Sequence, residues 1–129
     1  MKFARYSFLI AGLYGLLSLP PMYFLEAKNG RDFPPAITHP EYYFGFIGVA
    51  LAWQVLFLVL SINPKRYRPM MIPAMLEKLS FAVPVIALFV QNRVAFMMVV
   101  AAIPDLIFLC LFATAFIKTR SESGIENRS

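Results

Sequence analysis

The chain has 129 residues, of which 60% are hydrophobic and 15% are charged, and its mean hydropathy is +0.67. Soluble domains carry about 25% charged residues, so this composition excludes an ordinary soluble protein. Four apolar runs, near residues 5–25, 42–62, 70–90 and 94–117, each approach the ~20 residues that a helix needs to cross a bilayer. The sequence therefore predicts an all-α integral membrane protein, a four-helix bundle that forms a single domain.

The net charge of +5 reflects basic residues that segregate to one side of this four-pass topology. On that side lie Lys2, Arg5, Lys65, Arg66, Arg68, Lys118, Arg120 and Arg128. The opposite side has Lys28, Arg31 and Arg93. The positive-inside rule then predicts that both termini are cytoplasmic. We expect the lipid bilayer as the partner, with no nucleic acid, and a bacterial cytoplasmic membrane as the location.

The first run follows Lys2 and Arg5, as the apolar region of a signal peptide would. However, Pro20-Pro21 is followed by bulky residues rather than by a small-residue cleavage site. We therefore expect an uncleaved first span.

Residues 26–41 form the external loop of this topology, and Pro34-Pro35 predicts extended backbone within it. His39 is the sole histidine, so a site built from several histidines, for a metal or a haem, is not expected. A mixed site that combines His39 with Glu26, Asp32 and Glu41 stays open beside the simpler interpretation, a solvated polar loop.

The second run contains Trp53-Gln54 past its middle, and the basic loop 63–69 follows it. Such a loop is typical of a stop-transfer segment among anionic headgroups. Glycine pairs in the first two runs favour close approach of helices. These pairs are Gly12-x-x-Gly15 and Gly45-x-x-Gly48.

Three ionisable residues interrupt the last two runs: Glu77, Lys78 and Asp105. At 1.5 Å per helical residue, Glu77, Lys78 and Gln54 lie ~10–12 Å from the cytoplasmic face, and Asp105 lies ~15 Å deep. Because an ionised side chain at mid-bilayer costs at least ~2.5–3.5 kcal/mol, we expect these groups to face inward and pair.

The simplest pairing joins Lys78 to Asp105 across the third and fourth helices. Glu77 and Lys78 are adjacent on one helix, about 100° apart, so they are not expected to face each other. Glu77 would then accept a hydrogen bond from Gln54, Ser80 or Trp53, or be protonated. The cluster either locks the bundle together or forms a ligand or proton site.

Prolines at positions 73, 84 and 104 favour kinks that open space beside these polar groups. Cys110 is the only cysteine, which excludes an internal disulfide. The cytoplasmic tail comprises residues 118–129, and the polarity of Ser121–Ser129 indicates fraying of that part.

Several short strings carry a resemblance that spans the chain. They are Leu19-Pro20-Pro21-Met22-Tyr23-Phe24-Leu25-Glu26, Ala52-Trp53-Gln54, Ile72-Pro73-Ala74 and Ile103-Pro104-Asp105-Leu106-Ile107. The arrangement resembles a family of uncharacterised bacterial four-span membrane proteins. More distantly it resembles the EXPERA superfamily, which includes the emopamil-binding sterol isomerase and the sigma-two receptor.

This resemblance implies a membrane cavity closed by carboxylates, with Glu26 at its external end. In the superfamily, isomerisation resembles a proton shuttle that uses a histidine and glutamates inside the pocket. This chain departs at two places, since His39 lies in a loop and Ala50 stands where the second helix would carry an acid.

We expect a non-enzymatic membrane protein that binds a lipid-like or amphipathic molecule in an intrabundle pocket, or serves as an accessory subunit of a membrane complex. The alternative is an EXPERA-like isomerase or a small proton-coupled transporter that uses buried carboxylates. A homo-oligomer or a larger complex is open, and no cofactor or metal is expected. The candidate ligand-binding residues are Glu26, Trp53, Gln54, Glu77, Lys78 and Asp105.

Overall fold

A computed structural model describes residues 2–32 and 36–126, with side chains to residue 120. In these segments all regular structure is helical. The helices are α1 (Lys2–Ser18), α2 (Glu26–Asp32), α3 (Pro40–Ile62), α4 (Met71–Val90) and α5 (Phe96–Glu126), with short 3-10 helices at Pro20–Phe24 and Arg68–Met70. The predicted all-α class is therefore confirmed for the described residues.

Four segments of the described chain are long and apolar enough to cross a membrane, as expected of an integral membrane protein. They are Lys2–Phe24, Pro40–Ile62, Arg68–Val90 and Phe96–Arg120. Four helices of the predicted length and apolar character are thus confirmed, and their bounds lie within a few residues of the predicted runs. The side on which the termini lie stays a prediction from the distribution of basic residues.

The first span is built from two pieces because Pro20-Pro21 removes backbone donors. The α-helix ends at Ser18, and a 3-10 helix continues to Phe24. There the amide of Met22 donates to the carbonyl of Leu19 at 3.0 Å, the shorter hydrogen-bond spacing of a 3-10 turn.

The loop predicted to be external contains a helix that the sequence does not indicate, since α2 occupies its first half. Asn29-Gly30 lies within this helix and forms no reverse turn, because the amide of Asn29 bonds the carbonyl of Leu25 at 2.8 Å. Pro40 begins α3 at a position where a missing amide hydrogen costs nothing. The predictions for Pro34-Pro35 and for residues 127–129 lie outside the described residues.

Helix α5 extends through Glu126, into the tail that is expected to fray. A contact from the basic loop fixes this helix near the end of its apolar run. Arg68, from the basic loop, donates through Nε and Nη2 to the carbonyl of Phe116, at 3.2 and 2.9 Å. Its Nε also donates to the Thr119 hydroxyl at 3.2 Å, and its guanidinium lies 3.8 Å from the Phe116 ring centroid. From this fixed turn each further residue extends the helix with one hydrogen bond.

The bundle consists of two tight pairs, α1 with α3 and α4 with α5, and α1 also packs on α5. In contrast, α3 and α4 touch over a short stretch only. The α1–α3 contact depends on glycine: a Cβ added at Gly12 would lie 2.8 Å from Leu58, and one at Gly15 would overlap the Gln54 side chain. Gly45 has no neighbour within 4 Å of such an atom, so the second glycine pair does not share this role.

We call the end that holds Lys2 and Arg120 the terminal end, and the end that holds residues 25–32, 36–39 and 91–95 the cavity end. The main core lies towards the terminal end, where Phe8, Phe57 and Phe112 are fully buried. The rings of Phe8 and Phe112 stack at 4.2 Å, and those of Phe57 and Phe112 meet edge to face at 5.1 Å. Nearer the cavity end, a smaller cluster contains Ala82, Val85 and Ala102.

Candidate functional site

Lys78 lies on α4 with its ammonium group inside the bundle, and 5% of its side chain is exposed. Its Nζ atom donates a hydrogen bond to Oδ1 of Asp105 on α5 over 3.1 Å. This is the interhelical pair that the sequence predicts. It satisfies the requirement that a charge in an apolar bundle has a partner of opposite charge.

Glu77 also belongs to this group, although its position on the helix predicts otherwise. Its Oε2 atom lies 3.6 Å from Nζ of Lys78. The prediction that the two adjacent residues point apart is wrong, because the flexible four-carbon stem of lysine lets the ammonium swing towards its neighbour. Glu77, Lys78 and Asp105 are hereafter called the charged triad.

The Glu77 carboxylate is incompletely satisfied. Among the described residues, its Oε2 atom is buried and accepts no hydrogen bond. The donors expected for it bond elsewhere: the Ser80 hydroxyl donates to the Glu77 backbone carbonyl at 2.7 Å, and Nε2 of Gln54 donates to the carbonyl of Ala50 at 2.9 Å. One acceptor position of the charged triad is therefore open.

Two aromatic rings complete the surroundings of the ammonium. Nζ of Lys78 lies 5.1 Å from the ring centroid of Phe57 and 5.4 Å from that of Phe108. Both distances fall within the range of cation–π attraction. The rings also keep the pair away from polar surroundings, so the charged triad can hold α4 to α5 and position one carboxylate inside the bundle.

The other three candidates lie apart from the charged triad. Gln54 is buried in the α1–α3 contact, and Trp53 packs half-buried against the main core. Glu26 begins α2 at the cavity end. In the described part of the chain, no hydrogen bond or ion pair links any of them to the triad.

The mixed loop site reduces to a single contact, in which Nδ1 of His39 lies 3.0 Å from Oε1 of Glu41. Both side chains are more than half exposed. Over residues 2–32 and 36–120, no three histidine, cysteine or acidic side chains are grouped closely enough to hold a metal ion.

A cavity of about 600 Å³ opens between α3 and the α4–α5 pair at the cavity end. Its deeper wall is apolar and comes from the spans, with Phe46 on α3, Phe81 on α4, and Met98 and Ala101 on α5. The rings of Phe46 and Phe81 lie 5.9 Å apart and form one side of this wall.

The mouth of the cavity is polar. Asn29 of α2, Thr38 and His39 of the following segment, and Arg93 of the α4–α5 connection contribute its hydrogen-bonding groups. The cavity is therefore amphipathic along its depth, since polar groups come from the connections and apolar groups come from the membrane spans.

A hydrogen-bond chain fixes the mouth on the α3 side. Nδ2 of Asn29 donates to the hydroxyl of Tyr43 at 2.8 Å, and that hydroxyl donates to the carbonyl of Met22 at 2.6 Å. Tyr43 thus joins α2, α3 and the 3-10 helix. This residue therefore holds the segment between the first two spans against the bundle.

A helix cap fixes the mouth on the α4 side. Asn92 has a positive φ of 60°, a conformation that asparagine tolerates better than most residues. Its amide bonds the carbonyl of Phe89 at 2.9 Å, and the amide of Arg93 bonds that of Leu88 at 2.8 Å. These two bonds form a Schellman motif, which ends α4 and sets the position of Arg93.

None of the six candidate residues lines the cavity. The charged triad nevertheless lies close to its floor, because Phe81 follows Lys78 by three residues and Ala101 precedes Asp105 by four. Such spacings correspond to about one helical turn. Sequence reasoning missed Arg93. This residue lies between two spans, at the same end of the bundle as His39.

The chain matches no protein-family model, no curated protein and no solved structure. The likeness to the EXPERA superfamily therefore remains a resemblance of short strings, and the function has to be argued from the geometry of this molecule.

Proposed function

We propose that this multi-pass membrane protein binds a lipid-like or amphipathic small molecule in the cavity between α3 and α4–α5. The observation that supports this proposal is the polarity gradient of the cavity, with Asn29 and Arg93 at the mouth and Phe81 and Ala101 at depth. A molecule with a polar head and an apolar body matches both parts at once. We place the protein in a bacterial cytoplasmic membrane with both termini in the cytoplasm, in line with its basic residues.

The size of the cavity agrees with this class of ligand. Small-molecule sites have volumes of roughly 300–1,000 Å³ and apolar walls with a few polar groups. The cavity of about 600 Å³ falls within this range. In this proposal the charged triad supports the cavity floor and holds α4 to α5, and it does not touch the ligand.

The test uses a fluorescent reporter in the cavity wall. Trp53 is the only tryptophan, so a Trp53→Phe, Phe46→Trp double variant reports from the wall alone. In phosphatidylcholine nanodiscs, a dibrominated single-chain lipid should quench this reporter saturably, and the unbrominated lipid should reverse the quenching. A second reporter with Val59→Trp, at an exposed position of α3 outside the cavity, should show only weak quenching that does not saturate.

Filling the cavity provides the matched control. Ala101→Phe places a ring in the cavity and should abolish saturable quenching, whereas Ala52→Phe, at an exposed position of α3 outside the cavity, should leave it unchanged. Equal quenching of the Phe46→Trp and Val59→Trp reporters, with no effect of Ala101→Phe, would refute the proposal.

A second candidate, a small proton-coupled carrier, is favoured by Oε2 of Glu77, which lies inside a span and accepts no hydrogen bond from the described residues. One open acceptor beside a lysine–carboxylate pair gives a proton a place to bind during a transport cycle. In proteoliposomes, a Glu77→Gln variant should then abolish any proton-driven uptake of the bound molecule. Proton-driven uptake that persists in this variant would exclude Glu77 as the proton-binding group, and an absence of such uptake by the unaltered protein would exclude the carrier and leave the binding proposal intact.

A further inference from the structure

We propose that the molecule in this cavity is a single-chain lipid with an anionic headgroup, which Arg93 binds. This inference rests on the proposed function and adds the charge of the ligand and the residue that selects it. A carboxylate and a phosphate share the required chemistry, because the planar guanidinium fork matches the oxygens of either group.

The first argument is the sign of the charge at the mouth. Among the described residues that line the cavity, Arg93 carries a full positive charge and no side chain is acidic. Glu41 is not part of the wall, and its carboxylate is engaged by Nδ1 of His39 at 3.0 Å. The electrostatic complement of this mouth is an anion.

The second argument is that the donors of Arg93 are largely available. Within the part of the chain that the structure describes, its side chain makes one hydrogen bond, a long one of 3.5 Å from Nη1 to Oε1 of Gln91, which is a neutral group. Arginine carries five N–H donors, so at least two remain for a bidentate contact with a headgroup. The helix cap at Asn92 fixes the backbone from which this side chain extends.

The third argument is depth. Arg93 belongs to the connection between two spans, which is the level of lipid headgroups. Ala101 lies five residues after the start of α5, so at 1.5 Å per residue it is about 8 Å deeper in the bundle than that start. A lipid with its head at Arg93 therefore directs its chain between Phe46 and Met98 along the direction that it already has in the bilayer.

The experiment compares headgroups on one chain. The Phe46→Trp, Trp53→Phe reporter in phosphatidylcholine nanodiscs is titrated with dibromostearate, at a pH where the carboxylate is ionised, and with dibromostearyl alcohol. Each saturation midpoint is corrected for the measured partition of the probe into empty nanodiscs. We expect the acid to bind about tenfold more tightly than the alcohol, and unbrominated lysophosphatidate to compete with it.

Variants at one end of the bundle assign this preference to Arg93. Arg93→Gln should remove most of the advantage of the acid without changing the midpoint of the alcohol, and Arg93→Lys should retain part of it. Arg31→Gln, which removes an exposed basic residue outside the cavity, should change neither.

The outcomes separate this inference from the proposed function. Equal midpoints for acid and alcohol, or a preference that survives Arg93→Gln, would overturn the anionic headgroup while leaving amphiphile binding in place. An absence of saturable quenching by either probe would overturn both. A preference for lysophosphatidate over dibromostearate would support the inference and identify phosphate as the better head.

Discussion

At the terminal end, Phe8, Phe57 and Phe112 interlock with no exposed surface, whereas at the cavity end α3 and α4 leave a space of about 600 Å³ between them. The same four spans therefore form a packed core at one end and an amphipathic opening at the other. The charged triad lies between the two regions. This division places stability at one end of the molecule and leaves the other end free to bind.

The largest loss of stability is expected at the charged triad, which lies between the two ends. Asp105→Asn removes the anionic partner of the buried Lys78 ammonium, and breaking a buried pair in this way costs about 3–5 kcal/mol. We expect a loss of that size in the free energy of unfolding, measured by steric trapping in neutral bicelles.

Two controls separate the loss of a partner from the loss of a side chain. Replacing both members, with Lys78→Met and Asp105→Leu, should restore most of the stability because no uncompensated charge remains. Asp32→Asn, at an exposed acid of α2, should have no effect. A double variant as unstable as Asp105→Asn would contradict the pairing argument.

The next largest effect should distinguish the two ends directly. Phe112→Ala empties a fully buried position of the aromatic core, and Phe46→Ala shortens a side chain of the cavity wall that is 46% exposed. We expect Phe112→Ala to cost about 2–3 kcal/mol, less than in a soluble core because lipid replaces water as the alternative surroundings. Phe46→Ala should cost less than half as much. Similar losses in thermal unfolding in detergent would show that the ends are equally packed.

A smaller effect tests the α1–α3 contact. A methyl group at Gly15 would overlap the Gln54 side chain, so Gly15→Ala should cost about 1–2 kcal/mol through overpacking. Gly45→Ala changes the same residue type where no neighbour lies within 4 Å, and it should be neutral or slightly stabilising. The two variants are compared by their unfolding midpoints in the same detergent.

The smallest effect concerns the basic loop. Arg68→Lys keeps the charge but loses the fork that bonds the Phe116 carbonyl, and we expect a loss of about 1 kcal/mol. Hydrogen exchange should accelerate in α5 beyond Phe116. Arg66→Lys, at an exposed neighbour, should leave exchange unchanged. Equal exchange in both variants would show that Arg68 does not fix the helix.

The spans could be predicted from the sequence because hydrocarbon thickness dictates helix length, and composition reveals each run. The pair of Lys78 with Asp105 could be predicted because a charge at that depth requires a partner. The Glu77 contact could not, since the rotation between adjacent helical residues does not limit a side chain as long and flexible as lysine.

The sequence predicts an intrabundle pocket, but the position and lining of the cavity could not be predicted because they depend on how α3 and α4 diverge, and no local pattern encodes that divergence. The sequence indicates the charged residues inside the spans as the candidate site, whereas Arg93 and Asn29, which line the cavity, lie in the connections between spans. The contact that fixes the last turns of α5 could not be predicted for a similar reason, since it comes from Arg68, nearly fifty positions earlier in the chain.

That long-range contact has a consequence for biogenesis. During insertion into the bilayer, the guanidinium of Arg68 cannot bond the carbonyl of Phe116 until the last span has emerged from the ribosome. The connection between the second and third transmembrane segments consequently becomes fixed only after the fourth segment has been added. A nascent chain halted before Phe116 would lack the contacts that join this basic loop to the last helix.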